Sequence, residues 1–209
     1  MQALDTTHLV ALAAALGWAS GLRLYAVLFI TGAAGYLGWL PLPAGLQVLQ
    51  HPLVLGASGL MVVVEFFADK IPALDSLWDL VHTFIRIPAG AALAAAVFGG
   101  DSATWATVAG VLGGTLAATA HTAKATTRAA ANTSPEPFSN IGLSLLGDAA
   151  VPGLLWLAWQ QPVLFFAVLA VVVVVALVIT VLLSRFLRLL WRRLTGRADG
   201  RPMSVVSAG

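Results

Sequence analysis

Polar side chains interrupt this chain so rarely that its apolar runs mark out its elements. From Pro162 to Leu183 the only polar side chain is Thr180, and a run of that length covers roughly 30 Å as a helix, the thickness of a bilayer's hydrocarbon core. Runs of the same kind predict five more helices. The first covers about His8 to Leu40, too long for one straight crossing, and Gly17, Gly21, Gly32, Gly35 and Gly38 offer places to break it. The second runs from about Leu53 to Ala68. The third runs from Leu74 past a kinking Pro88 to Gly100, and the fourth from Ala103 to Ala131, where "NTSPEP" forbids continuation. The fifth covers Phe138 to Trp159, bent at Pro152 and Gly153, and the sixth starts at Pro162. The fold class that follows is all-α, a polytopic membrane bundle of about six transmembrane helices, some broken or kinked.

Composition agrees with the pattern. The chain is 59% hydrophobic and 10% charged, with a mean hydropathy of +0.92, which sets aside a soluble domain. Residues 1–195 read as one transmembrane domain and 196–209 as a basic, disordered cytoplasmic tail. Two internal similarities point to a repeat of the kind that transport folds use: "DKIPALDS" over "NTSPEPFS", and "QHPLVLGASGLMVVVEF" over "QQPVLFFAVLAVVVVVA". The absence of cysteine excludes disulfides, thiolate metal sites and a cysteine nucleophile. The first positive charge is Arg23, so the chain lacks the basic start of a cleavable signal.

The formal charge of +2 is unevenly spread. Arg185, Arg188, Arg192, Arg193, Arg197 and Arg201 crowd the C-terminal segment, where they fit anionic lipid headgroups rather than nucleic acid. With six crossings, Lys70, Lys124 and Arg128 fall on the same side as that tail, and the opposite turns carry no Lys or Arg. Both termini are therefore expected in the cytoplasm.

Helical spacing gathers the other charges into stripes. Asp75, Asp79, His82 and Arg86 share one face of the third helix, and Glu65 and Asp69 stand one turn apart at the end of the second. His121, Lys124, Arg128 and Asn132 share a face of the fourth. Arg23 stands alone in the first helix, with Tyr25 reaching the same site only if that helix is broken. Asp148 is the single acid of the fifth. Ionisable groups at membrane depth face a partner or a wet cavity. The stripes could pair with each other, lie at the interface, or line a cavity open to the cytoplasm. In a cavity, three chemistries fit. Arg128 and Lys124 could hold an anion while Glu65 and Asp79 hold them in turn, with Glu65 set opposite Arg128. Alternating Asp and His could relay protons. Glu65, Asp69 and Asp79 could ligate a divalent metal; no other cofactor is expected.

The motifs "GLRLY", "EFFADKIPALDSLWD", "AHTAKATTR" and "NTSPEPFSN" together resemble a bacterial integral-membrane family catalogued as a domain of unknown function. The resemblance covers about residues 10 to 160, leaving the last helix outside, and implies a compact polytopic protein of the bacterial inner membrane without naming a substrate. The leading functional expectation is a small secondary transporter or channel-like permease for a small anionic or zwitterionic solute, with possible proton coupling. The first rival is a membrane enzyme acting on a lipid headgroup or phosphate through a carboxylate-bound metal, and the second is a structural or assembly factor. Homo-oligomerisation stays open.

Overall fold

The computed structural model describes residues 5–71, 74–99, 102–133 and 138–196, and only the backbone of Asp75, Ser76 and 194–196. Six α-helices follow in order: α1 (Thr6–Tyr36), α2 (Pro52–Ala68), α3 (Leu74–Ala96), α4 (Ala103–Ala131), α5 (Phe138–Gln160) and α6 (Pro162–Gly196). A short 3-10 helix, Ala44–Gln50, sits in the α1–α2 connection, and there is no strand among the described residues. The boundaries have local causes. Asp5, His51 and Ser102 accept hydrogen bonds from the backbone N–H groups of His8, Leu53 and Trp105, which caps α1, α2 and α4. Pro52 and Pro162 open α2 and α6, where a missing N–H costs nothing. Pro88 and Pro152 both lie inside their helices.

The first helix is broken as expected, though not at a glycine. Its one non-helical residue is Arg23 (φ −149°, ψ 85°). The glycines do something else. A Cβ on Gly17 would run into the backbone of Gly113, and one on Gly21 into the Ala117 carbonyl. These contacts let α1 lie directly on α4, the small-residue packing that replaces hydrophobic force between helices in lipid. α1 is the axis of the bundle, buried along most of Ala11 to Ala34 and packed on α2, α3, α4 and α5. α3 and α4 make the most extensive pair, and α6 lies outside against α4 and α5.

α1, α4, α5 and α6 are long and apolar enough to cross a membrane, and α2 with the 3-10 helix, bent by 70°, makes a fifth candidate. Their outer faces expose Leu53, Val111, Trp156 and Val163, as lipid contact requires. Trp39, Trp105 and Trp191 lie exposed near helix ends, where interfacial tryptophans belong. The molecule is thus an all-helical membrane protein. The count of six crossings is not reproduced outright: α3 is missing from the apolar set because the stripe from Asp75 to Arg86 fills its first half. Of the two internal similarities, the one at "DKIPALDS" and "NTSPEPFS" falls partly outside the described residues. Within them, Asp69 and Asn132 hold equivalent places as C-caps of α2 and α4.

Two glycine substitutions separate packing from propensity. Gly21→Val should destabilise the bundle by about 1–3 kcal/mol through overpacking against α4. Gly56→Ala, which meets open space on α2, should be neutral or stabilising by up to about 1 kcal/mol. Reversible unfolding in mixed micelles measures both.

Candidate functional site

The break at Arg23 turns its guanidinium toward the end of α2 and the first half of α5 and leaves carbonyls of the preceding turn in need of donors. Lys124 Nζ, from α4, takes the Leu22 carbonyl at 3.3 Å. Arg23 itself reaches Asp69 Oδ2 at 3.0 Å and hydrogen-bonds the Ser144 hydroxyl at 2.9 Å. Its Nε lies 2.9 Å from Asp148 Oδ1 without the alignment of a hydrogen bond.

From there the charges alternate along one chain of contacts. Glu65 Oε1 meets Arg86 at 2.5 Å, and Arg86 meets Asp79 Oδ1 at 2.7 Å. Asp79 Oδ1 meets Lys124 at 3.1 Å, and Lys124 meets Asp69 Oδ2 at 3.0 Å. Asp69 meets Arg23, Arg23 meets Asp148, and Asp148 meets Lys70 at 3.5 Å. Arg128 joins through the Asp69 backbone carbonyl at 2.6 Å, with its other nitrogen 3.8 Å from Asp69 Oδ2. Five helices contribute, and no two acids or two bases adjoin. One end, at Glu65, is buried; the other, at Lys70 and Asp148, is partly exposed. Such alternation is what a low-dielectric interior demands, because an unmatched charge there costs several kcal/mol.

The histidines flank this chain. His82 Nδ1 lies 2.8 Å from the Trp78 carbonyl, which can only accept, so Nδ1 carries the proton. In the neutral ring Nε2 then accepts from the Tyr25 hydroxyl at 3.1 Å. The Thr83 hydroxyl donates to the Asp79 carbonyl, so His121 Nε2 donates to Thr83 Oγ1 at 2.7 Å. That leaves His121 Nδ1 buried with no hydrogen-bond partner, as are Glu65 Oε2 and Asp79 Oδ2. These three atoms are spare proton or ligand capacity inside the bundle.

Against the same chain of ion pairs, among α1, α4, α5 and α6, lies a cavity of about 340 Å³ that Arg23, Asp69, Lys124 and Arg128 help to line.

The structure brings together Arg23, Glu65, Asp69, Asp79, His82, Arg86, His121, Lys124 and Arg128, and the two stripes interlock. Asp75 is on α3 but its side chain lies outside the described residues. Asn132 takes a hydrogen bond from Asn140. One expectation needs correction. Glu65 pairs with Arg86, not Arg128: the third helix places its arginine between α2 and its own Asp79, while Arg128 sits lower, at the α2 C-cap. The proposed metal ligands Glu65, Asp69 and Asp79 are each engaged by arginine or lysine, and among the described residues no three of His, Asp and Glu gather as a ligand set. Ser144 and Thr83 were missed. Ser144 stands four residues before Asp148 on α5, the same one-turn spacing that marked the other stripes, and could have been found that way.

The chain belongs to the family described as a domain of unknown function, DUF4126, whose pattern matches residues 10–182. The match runs through most of the apolar length of α6, so the last helix, expected outside the family, is part of it. No curated protein and no solved structure matches the chain.

The Glu65–Arg86 pair gives a direct test. Arg86→Leu alone strands a buried carboxylate and should cost about 3–5 kcal/mol of stability. Glu65→Leu with Arg86→Leu should recover most of that loss, since Asp79 keeps Lys124. Denaturant titration of the purified protein in micelles would show whether the second change rescues the first.

Proposed function

We propose that this chain is a small proton-coupled permease for an anionic or zwitterionic solute. The observation that carries the reading is Asp69. This one carboxylate is the shared counter-ion of Arg23 and Lys124, lies beside Arg128, and borders a cavity. An anion entering that cavity competes with Asp69 for the same cations. A carboxylate stripped of its cations in a dry site takes a proton. Anion entry and protonation of Asp69 are then linked, and solute and proton move together. Glu65 and Asp79 serve to hold Arg86 and Lys124. The broken α1 supports the same reading, because discontinuous helices are where transport folds place their sites.

The placement in the membrane belongs to the proposal. α3 is read as a sixth crossing, since Asp79, His82 and Arg86 are buried against partners rather than turned to lipid. Arg185, Arg188, Arg192 and Arg193 are exposed at the end of α6, which suits the anionic headgroups of a cytoplasmic leaflet and sets both termini inside a bacterial inner membrane. The link between anion entry and a proton on Asp69 is what favours transport here over an enzyme on a lipid headgroup or a scaffold.

Two measurements test this. Single cysteines at Ile71 and Ala103 should label from opposite faces of sealed vesicles; labelling from one face removes the six-crossing topology. In proteoliposomes loaded with a pH dye, inward gradients of inorganic phosphate, sulfate, glutamate and octyl phosphate are imposed in turn. At least one should drive protein-dependent acidification of the lumen. Asp69→Asn should abolish that proton movement. Wild-type protein that moves protons with none of the four overturns the reading.

A further inference from the structure

The cavity beside Asp69 has two unlike parts. Its floor holds Arg23, Lys124 and Arg128 against a single carboxylate, Asp69. Its walls are apolar, from Leu146 and Leu154 on α5 to Val172, Val175 and Ile179 on α6. Leu146 and Val175 are also exposed on the outer face of the bundle, so the cavity is continuous with the surface that meets lipid. A water-soluble anion would use the floor and leave the walls idle. We infer that the cavity takes a membrane lipid with a phosphomonoester headgroup, its phosphate on the three cations and its hydrocarbon chain between α5 and α6.

The chemistry of the floor selects that headgroup. Arg23 and Lys124 share Asp69 and each has a second carboxylate, Asp148 or Asp79, so a headgroup that takes them over must bring more than one charge, and a phosphomonoester carries about −1.5 to −2 at neutral pH. Its oxygens can meet three cationic side chains at once, with arginine forks giving paired hydrogen bonds that a carboxylate's two oxygens cannot all supply. A choline headgroup would instead bring a fixed positive charge among three cations. Gly147 keeps the approach clear: a Cβ there would stand 3.5 Å from Arg23 Nε, so any larger side chain would grow beside the floor. The cavity's 340 Å³ lies at the low end for ligand pockets, room for the headgroup and the first part of a chain whose remainder stays in the bilayer. The inference rests on the permease reading for what the lipid does here, and on the cavity alone for its binding.

Binding is therefore measured apart from flux, on the full chain in micelles, with radiolabelled lysophosphatidic acid as probe. Lysophosphatidic acid should bind at least about tenfold more tightly than lysophosphatidylcholine, the size of one charge-assisted hydrogen bond. Inorganic phosphate should not displace it at a comparable concentration. Arg128→Gln should weaken binding at the floor. Leu154→Trp and Val175→Trp, on two different walls, should each weaken it at the chain, and monodispersity on gel filtration identifies which variants remain folded. Equal displacement by inorganic phosphate, with no effect of either wall variant, would make the ligand a soluble anion and overturn the lipid assignment while leaving the permease reading standing. Equal binding of both lysolipids, or of neither, overturns it as well. Selective binding without proton-coupled flux would keep the lipid site and remove the permease.

Discussion

Everything at the centre of this bundle depends on charges being matched where water is scarce. Asp69 is fully buried, yet Arg23, Lys124 and Arg128 converge on it from α1 and α4. Each cation needs a second acceptor to be content in a low-dielectric interior, and each finds one: Asp148, Asp79, or the α2 end carbonyl. The result is a lattice in which no residue can be removed without stranding another. That coupling explains why a protein with so few charges gathers most of the non-tail ones at one level. It also explains why the first helix breaks where it does: only by leaving the helical path can Arg23 reach both α2 and α5.

The close helix crossing and the ion lattice support each other. Gly17 and Gly21 let α1 rest on the α4 backbone, which brings Lys124 near enough to take the Leu22 carbonyl. With bulky residues at the crossing, the lysine would stand off and the break in α1 would lose its donor. Burial of polar groups and tight backbone approach are thus parts of one solution.

Much of this was legible in the sequence. Helix limits were readable because apolar runs end at prolines, glycines and capping side chains, and those signals are local. The stripes on α3 and α4 were readable because helical period fixes which residues share a face. Their pairing was not. Period alone cannot tell how far one helix is shifted along its neighbour, and a shift of one turn decides whether Glu65 meets Arg128 or Arg86. Glycine positions likewise suggested a flexible α1, whereas those glycines proved to be contact points and the break fell on the residue whose charge needed it. A cavity at the charged stripes could be raised from the sequence, but its apolar walls could not, since they are leucines and valines like those anywhere in the chain.

The composition of α3 bears on how the protein is made. Taken alone, a segment bearing Asp75, Asp79, His82 and Arg86 partitions poorly into lipid, because each full charge near the middle of a helix costs about 2.5–3.5 kcal/mol on insertion while a leucine returns only about half a kcal/mol. Its compensating charges lie on α2, already synthesised, and on α4, still to come. If α3 is a crossing, as proposed, it would wait at the translocon or the membrane surface until α4 emerges, and the pair would enter the bilayer as a hairpin. The ion pairs that hold the finished bundle would then also set the order of its assembly.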